Sequence, residues 1–174
     1  MEEISLEFND IIKARWSVRS FSDKKVEQDK ILRILEIAQT APTAKNMQPV
    51  RIICAHSEKA ISDFRRISPC TYGAPLIFAI CSDENECWVD SDGKSRGEMD
   101  ASICATHIML AATNEKLGSC WVCIFDKNEL ARRFELLENI VPRCLVVVGY
   151  PAEDAQPSQR HFDRLPLSET VKYV

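Results

Sequence analysis

Apolar positions recur at helical spacing twice in the first forty residues and then gather into shorter, denser runs. Phe8, Ile11 and Ile12 fall on one side of a short helix over residues 6–14, and Ile31, Ile34, Leu35 and Ala38 on one face of a second helix that must end before Pro42. Residues 50–55 read as a strand, and Ser57 can cap a helix running through Phe64. Residues 75–82 (PLIFAICS) are apolar at successive positions, which predicts a strand covered on both faces. The pattern is lost over residues 83–98 (DENECWVDSDGKSRGE), a polar, acidic stretch that predicts a long surface excursion before the longest helix, from about Met99 to Lys116. Ala101, Ser102, Ala105, Thr106, Ala111 and Ala112 keep that helix slim, so a second helix can approach closely, in a core or at a subunit interface. Residues 119–125 follow as a strand, Asp126 caps a helix through Leu136, and residues 143–150 (RCLVVVGY) form the last strand.

Beyond Pro151 no period survives. Residues 151–174 hold three prolines and the scattered apolar side chains Phe162, Leu165, Leu167, Val171, Tyr173 and Val174, an arm that must pack on its own domain or on a partner subunit. A length of 174 residues predicts one domain, residues 1–174, and 45% hydrophobic with 28% charged residues predicts a folded chain. The net charge of -4 lacks the basic footprint of a nucleic-acid binder. The longest apolar stretch, about eight residues around Ala74–Cys81, is far short of the ~20 that cross a bilayer, and the acidic start carries no targeting signal, so a cytoplasmic protein is expected. Eight cysteines without a secretory signal predict free thiols in a reducing compartment, with Cys54, Cys81, Cys123 and Cys144 as small hydrophobes inside strands.

The five glycines never space as G-x-G-x-x-G or G-x-x-x-x-G-K-[ST], so a bound phosphate would have to be gripped by arginine and hydroxyl side chains. Arg15-Trp16-Ser17-Val18-Arg19 offers them: in an extended segment residues 15, 17 and 19 point to one side, although the same pattern also fits a solvated basic loop. Ala41-Pro42-Thr43-Ala44-Lys45-Asn46-Met47-Gln48-Pro49 is stiffened by prolines and carries two side-chain amides suited to the edge of a heterocycle, or alternatively to a rigid connector in which Asn46 serves its own turn.

Together with Leu110-Ala111-Ala112, Leu117-Gly118-Ser119-Cys120-Trp121, Gly149-Tyr150-Pro151 and Arg164-Leu165-Pro166, these two segments give the chain, over nearly its whole length, a sequence that resembles the FMN-dependent nitroreductase family. The resemblance implies an α+β fold with a central, mostly antiparallel sheet flanked by helices, and a homodimer that exchanges its carboxy-terminal arms. It implies that Arg15, Trp16 and Ser17 contact the FMN phosphate and ribityl chain, that Arg19 approaches the pyrimidine side of the flavin, and that Arg164 completes the phosphate site. Pro42, Thr43 and Ala44, with Asn46 in the same motif, would reach the flavin of the partner subunit, and Val122 and Cys123 would lie by flavin N5. The implied activity is hydride transfer from NADH or NADPH to FMN and ping-pong reduction of a nitroaromatic, quinone or similar small electron-poor acceptor. A flavin-binding or flavin-consuming protein of the same fold with little turnover is the alternative.

Some positions depart from the family pattern. Phe162 stands where relatives carry a second basic residue near the carboxy-terminal arginine, with Arg160 the nearest substitute, and Cys123 replaces a small residue by N5. Cys120-Trp121-Val122-Cys123 also spells C-x-x-C, the signature of a dithiol redox pair, but residues three apart in a strand face opposite sides and no second half completes a metal set. Asp90-Ser91-Asp92-Gly93 begins like a calcium loop, yet its twelfth position is Ala101. The three histidines stand apart, and no residue is singled out as a catalytic acid or base.

Overall fold

The computed structural model describes residues 7–174, so Leu6, at the start of the first predicted helix, lies outside the described residues. The strands β1 (Val50–Ala55), β2 (Leu76–Asp83), β3 (Gly118–Val122) and β4 (Ile140–Gly149) form one antiparallel sheet in the order β1-β2-β4-β3. The interior places of β2 and β4 explain why residues 76–81 and 144–148 are apolar at every position. Alternate side chains go to opposite faces. Leu76, Phe78 and Ile80 with Cys144, Val146 and Val148 pack against α2 (Gln28–Gln39) and α4 (Gly97–Asn114). Ile77 and Ala79 with Leu145 and Val147 pack on the other side against α3 (Glu58–Ile67) and α5 (Lys127–Arg133). The short α1 (Phe8–Ala14) precedes α2, and the arm contributes a 3-10 turn at Gln159–His161 and the one-turn helix α6 (Leu167–Thr170).

Local chemistry sets the boundaries. Ser57 accepts a hydrogen bond from Ala60 N at 3.3 Å and Asp126 one from Glu129 N at 2.9 Å, the two caps expected from sequence. On α4, Ala101, Ala105, Ala111 and Ala112 are buried against α2 and the sheet, as a slim helix allows. This helix starts two residues earlier than expected, where Gly97 lies so close to Cys87 Sγ and Ser82 that a Cβ would stand 2.5 Å and 2.8 Å from them.

Three expectations are corrected. β3 stops at Val122, because Ser68 Oγ donates to Ile124 O at 2.6 Å and Asp126 N donates to Ile67 O at 2.9 Å, drawing the chain off the sheet; Cys123 is therefore exposed and is not strand core. The helix capped by Asp126 ends at Arg133, short of Leu136, and Glu135 follows with φ 51°. The segment between β2 and α4 is built rather than aperiodic: Val89 bridges Ser95, Asp90 Oδ1 accepts from the amides of Asp92 and Lys94 at 2.9 Å, Asp90 pairs with Arg96, and Cys87 is buried.

The base of that segment is tied to β4. A register shift in the β2–β4 pairing sets Arg143 out of the ladder. Its guanidinium donates to Ser82 Oγ at 2.7 Å and Glu84 Oε1 at 2.6 Å. Burial works against the Glu84 charge, but hydrogen bonds from Ser82, Ser95 and Arg143 outweigh it and hold the carboxyl at about 2, below its ordinary 4.5. A depressed folded-state value contributes stability that is complete above pH 4.5 and lost as pH falls toward about 2. With the side chain 29% exposed, about 2 kcal/mol is expected from it. Thermal melts between pH 6 and pH 2.5 should show this loss, and Glu84→Gln should flatten the slope; equal slopes would contradict the assignment.

Candidate functional site

The Arg15–Phe21 segment is fixed by β3 and by the end of β4. After α1 the chain turns extended at Arg15 (φ −67°, ψ 124°), Ser17 bridges Ser119 in parallel, and Val18 N donates to Ser119 O at 2.9 Å. Phe21 then bridges Pro151, and Ser22 N donates to Tyr150 O at 2.9 Å. Paired glycines make room for it. A Cβ on Gly118 would stand 2.5 Å from Val18 Cγ2, and one on its cross-strand partner Gly149 would stand 3.1 Å from Phe21 Cδ1. Val18 is fully buried in this saddle, and alternation turns Arg15, Ser17 and Arg19 the other way.

There they meet the arm. Arg15, Trp16, Ser17 and Arg19 line a cavity of about 200 Å³ together with Ser158, Arg160, His161 and Arg164. Arg160 and His161 enter through the 3-10 turn, while Phe162 is 63% exposed and is not part of the lining. Among the described residues, none of the four arginines is paired with a carboxylate. Four like charges around one small cavity repel each other until an anion enters. Guanidinium forks with a serine hydroxyl match phosphate oxygens in charge and geometry. A larger cavity of about 590 Å³ between α1, α2 and α4, lined by Phe8, Ile11, Ile37 and Leu110, has no such convergence of cations.

The loop after α2 is brought elsewhere. Pro42, Thr43, Ala44 and Asn46 do not line the arginine cavity of their own chain; Thr43 borders a separate space of about 510 Å³ with Gln48, Arg51 and Cys104. The backbone of this loop is strained, with left-handed φ at Lys45 (51°), Asn46 (56°) and Gln48 (53°), each costing roughly 1–3 kcal/mol. It is held internally by Gln48 N donating to Thr43 Oγ1 at 3.0 Å, and from outside by Ala44 N donating to Asp100 Oδ1 at 3.0 Å. Lys45 Nζ stands 5.4 Å from the centre of the Trp88 ring, linking the loop to the segment before α4.

Val122 closes β3 on the buried side, and Cys123 lies just beyond it in solvent, with Trp121 Nε1 donating to its Sγ at 3.1 Å. Cys120 is buried behind the arginine segment; burial pushes its thiol up, opposed by Arg19 and Ser17. The two thiols of the C-x-x-C therefore stand in different environments, and both are free. Burial also pushes Cys81 and Cys104 up to about 11 and Cys144 to about 12. Iodoacetamide at pH 8 is expected to modify Cys123 first, with all eight thiols reacting only after unfolding. Peptide mapping that found Cys120 modified as fast as Cys123 would contradict this.

The profile of the Nitroreductase family matches residues 12–74 and 65–150 of the chain. The chain belongs to the nitroreductase family. A nitroreductase family protein from Clostridium difficile 630 superposes with a TM-score of 0.90 at 35% identity, covering 97% of this chain and 98% of that one. An NADH dehydrogenase/NAD(P)H nitroreductase of Methanothermobacter thermautotrophicus is 29% identical over 91% of this chain and 85% of its own length. An FMN reductase [NAD(P)H] of Bacillus subtilis is 28% identical over 87% of this chain and 70% of its own length.

In this nitroreductase-family chain, sequence reasoning missed Ser158 and His161 as cavity residues, and Tyr72 and Asp100 altogether. The crowding of Arg160, His161 and Arg164 in five positions was the available signal for the arm. Tyr72 has φ 52°, and the nearby Cys70 thiol and burial push its phenol up, opposed by Arg19. Nothing local in the sequence marks it.

Proposed function

We propose that the chain is a single FMN-binding domain acting as an FMN-dependent NAD(P)H oxidoreductase, and that it reduces a small electron-poor acceptor such as a nitroaromatic or quinone by a ping-pong mechanism in the cytoplasm. The observation that carries this reading is the cavity where four arginines and Ser17 converge without a carboxylate partner among the described residues. It suits a phosphate monoester, and the similarity to an FMN reductase makes FMN the group of choice. Bound FMN would supply two-electron chemistry, accepting hydride from NADH or NADPH and passing electrons to the acceptor.

The residues supply positioning and charge. Arg15, Arg160 and Arg164 would neutralise the phosphate, Ser17 would donate a hydrogen bond to it, and Trp16 would pack along the ribityl chain. Arg19 would set positive charge at the pyrimidine side of the ring, favouring the electron-rich form. Val122 and Cys123 would border the reactive edge. No side chain donates or removes a proton in this scheme.

The site belongs to a homodimer in which the loop from Pro42 to Asn46 of each protomer serves the cavity of the other. Two facts support this: the loop lies away from its own chain's cavity, and large apolar side chains stay exposed on α1 and the arm, including Phe8 at 68%, Leu165 at 68%, Leu167 at 70% and Tyr173 at 86%. An exchanged arm would cover them. Among the described residues no helix is long and apolar enough to cross a membrane, and the eight thiols are free, in keeping with a reducing compartment.

The test is an anaerobic absorbance spectrum of the protein after FMN reconstitution, before and after NADH and then NADPH. Flavin bands that persist through gel filtration and bleach within seconds are expected. Bound flavin that neither nicotinamide bleaches would leave a flavin-binding protein with little turnover, and a protein that retains no FMN would sink the proposal.

A further inference from the structure

Asp100 is 3% exposed, a carboxyl group buried in the first turn of α4. Its Oδ1 accepts the Ala44 amide at 3.0 Å, and its Oδ2 is buried with no hydrogen-bond partner. A buried acid holding a single hydrogen bond is a poor stabiliser of a core, because the orphaned oxygen loses its water and gains nothing. An apolar residue of similar volume would serve packing better. What the carboxyl does that an apolar residue cannot is grip the one amide that ties the 42–48 loop to the rigid start of α4. That loop carries three left-handed non-glycine residues within four positions, a conformation that persists only where the surroundings impose it. Gln48 N to Thr43 Oγ1 acts within the loop itself, whereas the Asp100 bond spans 56 positions of sequence.

We propose that Asp100 is a positioning residue for the flavin-contacting loop: through Ala44 N–H it sets the loop in the shape that meets FMN, at a cost to the stability of its own chain. This rests on the FMN reading given above. Acidic residues are favoured in the first turn of a helix, so α4 offers a site where such a residue is tolerated despite burial.

The test compares Asp100→Asn, which keeps an acceptor for Ala44 N–H, with Asp100→Leu and Asp100→Ala, which remove it with and without filling the space; whichever of the latter two folds is used. Two readouts are taken. Tryptic cleavage after the exposed Lys45 in FMN-free protein reports on the loop alone, and FMN titration by fluorescence quenching reports on the site. Expected are cleavage at least tenfold faster and an FMN Kd at least tenfold higher for the apolar variant, near wild-type values for Asp100→Asn, and a melting temperature for Asp100→Leu no lower than wild type. Cleavage and Kd both within twofold of wild type would overturn the proposal. So would faster cleavage with an unchanged Kd, since Asp100 would then serve the fold alone. If wild-type protein binds no FMN, the cofactor reading fails, and the cleavage ratio still decides whether Asp100 clamps the loop.

Discussion

Arg15→Ala is expected to weaken FMN binding by about 1.5–3 kcal/mol, roughly a tenfold to 150-fold rise in Kd. The range is that of a charge-assisted hydrogen bond to an anion. Two opposing effects shape where in it the result falls. Removing one guanidinium relieves repulsion among the remaining three in the ligand-free cavity, which lowers the apparent loss; emptying a half-buried position lets water compete for the phosphate, which raises it. Arg164→Ala should act in the same direction, and because both side chains face one cavity of about 200 Å³ their effects should combine less than additively. Arg65→Ala, at an exposed position in the last turn of α3, is the matching loss of charge outside the cavity and should leave Kd unchanged. An Arg15→Ala protein that purifies with a full complement of flavin would remove the phosphate assignment.

Gly118→Ala should both destabilise the fold and loosen the same site, although it touches no ligand. Its Cβ would lie 2.5 Å from Val18 Cγ2 and 3.0 Å from Pro151 Cγ, well inside contact distance. Val18 is fully buried and cannot retreat, so either β3 or the Arg15–Arg19 segment must shift. Overpacking of this kind costs about 1–3 kcal/mol. The displacement is passed directly to Ser17 and Arg19, the immediate neighbours of Val18, so urea unfolding and FMN titration should both register it. Adding Val18→Ala should recover part of the site geometry by freeing the crowded volume. A Gly118→Ala protein with wild-type midpoint and affinity would show that the saddle is softer than its geometry.

What could be read from sequence follows the range of the forces involved. Strand β1 was legible at both ends because its pattern is bounded by Pro49 and by His56-Ser57, and both side-chain caps were legible because each acts within three residues. The end of β3 was not, since it is set by Ser68 and Ile67, distant in sequence. The same holds at the site. One half of the arginine cavity was visible as R-x-S-x-R, whose alternation the extended backbone preserves; its meeting with Ser158, Arg160 and His161 depends on the course of an arm that has no period of its own. Asp100 was hidden for a different reason: an acid in the first turn of a helix looks like ordinary helix chemistry until burial and the Ala44 amide are known.

The arginine cavity joins residues 15–19 to residues 158–164, so an anion seated there spans almost the full contour of the polypeptide. It acts as a removable cross-link. Without it, the links of the arm to the first segment of its own chain include the bridge at Pro151 and the Ala152 N to Ser20 O bond, and the residues beyond Ala152 gain conformational freedom on release. With it, every kilocalorie of ligand affinity is also resistance to peeling of the arm, in proportion to the logarithm of ligand concentration over Kd. Cofactor supply would then regulate the lifetime of the protein as well as its chemistry, because a chain that loses its anion exposes first the part that is easiest to cut.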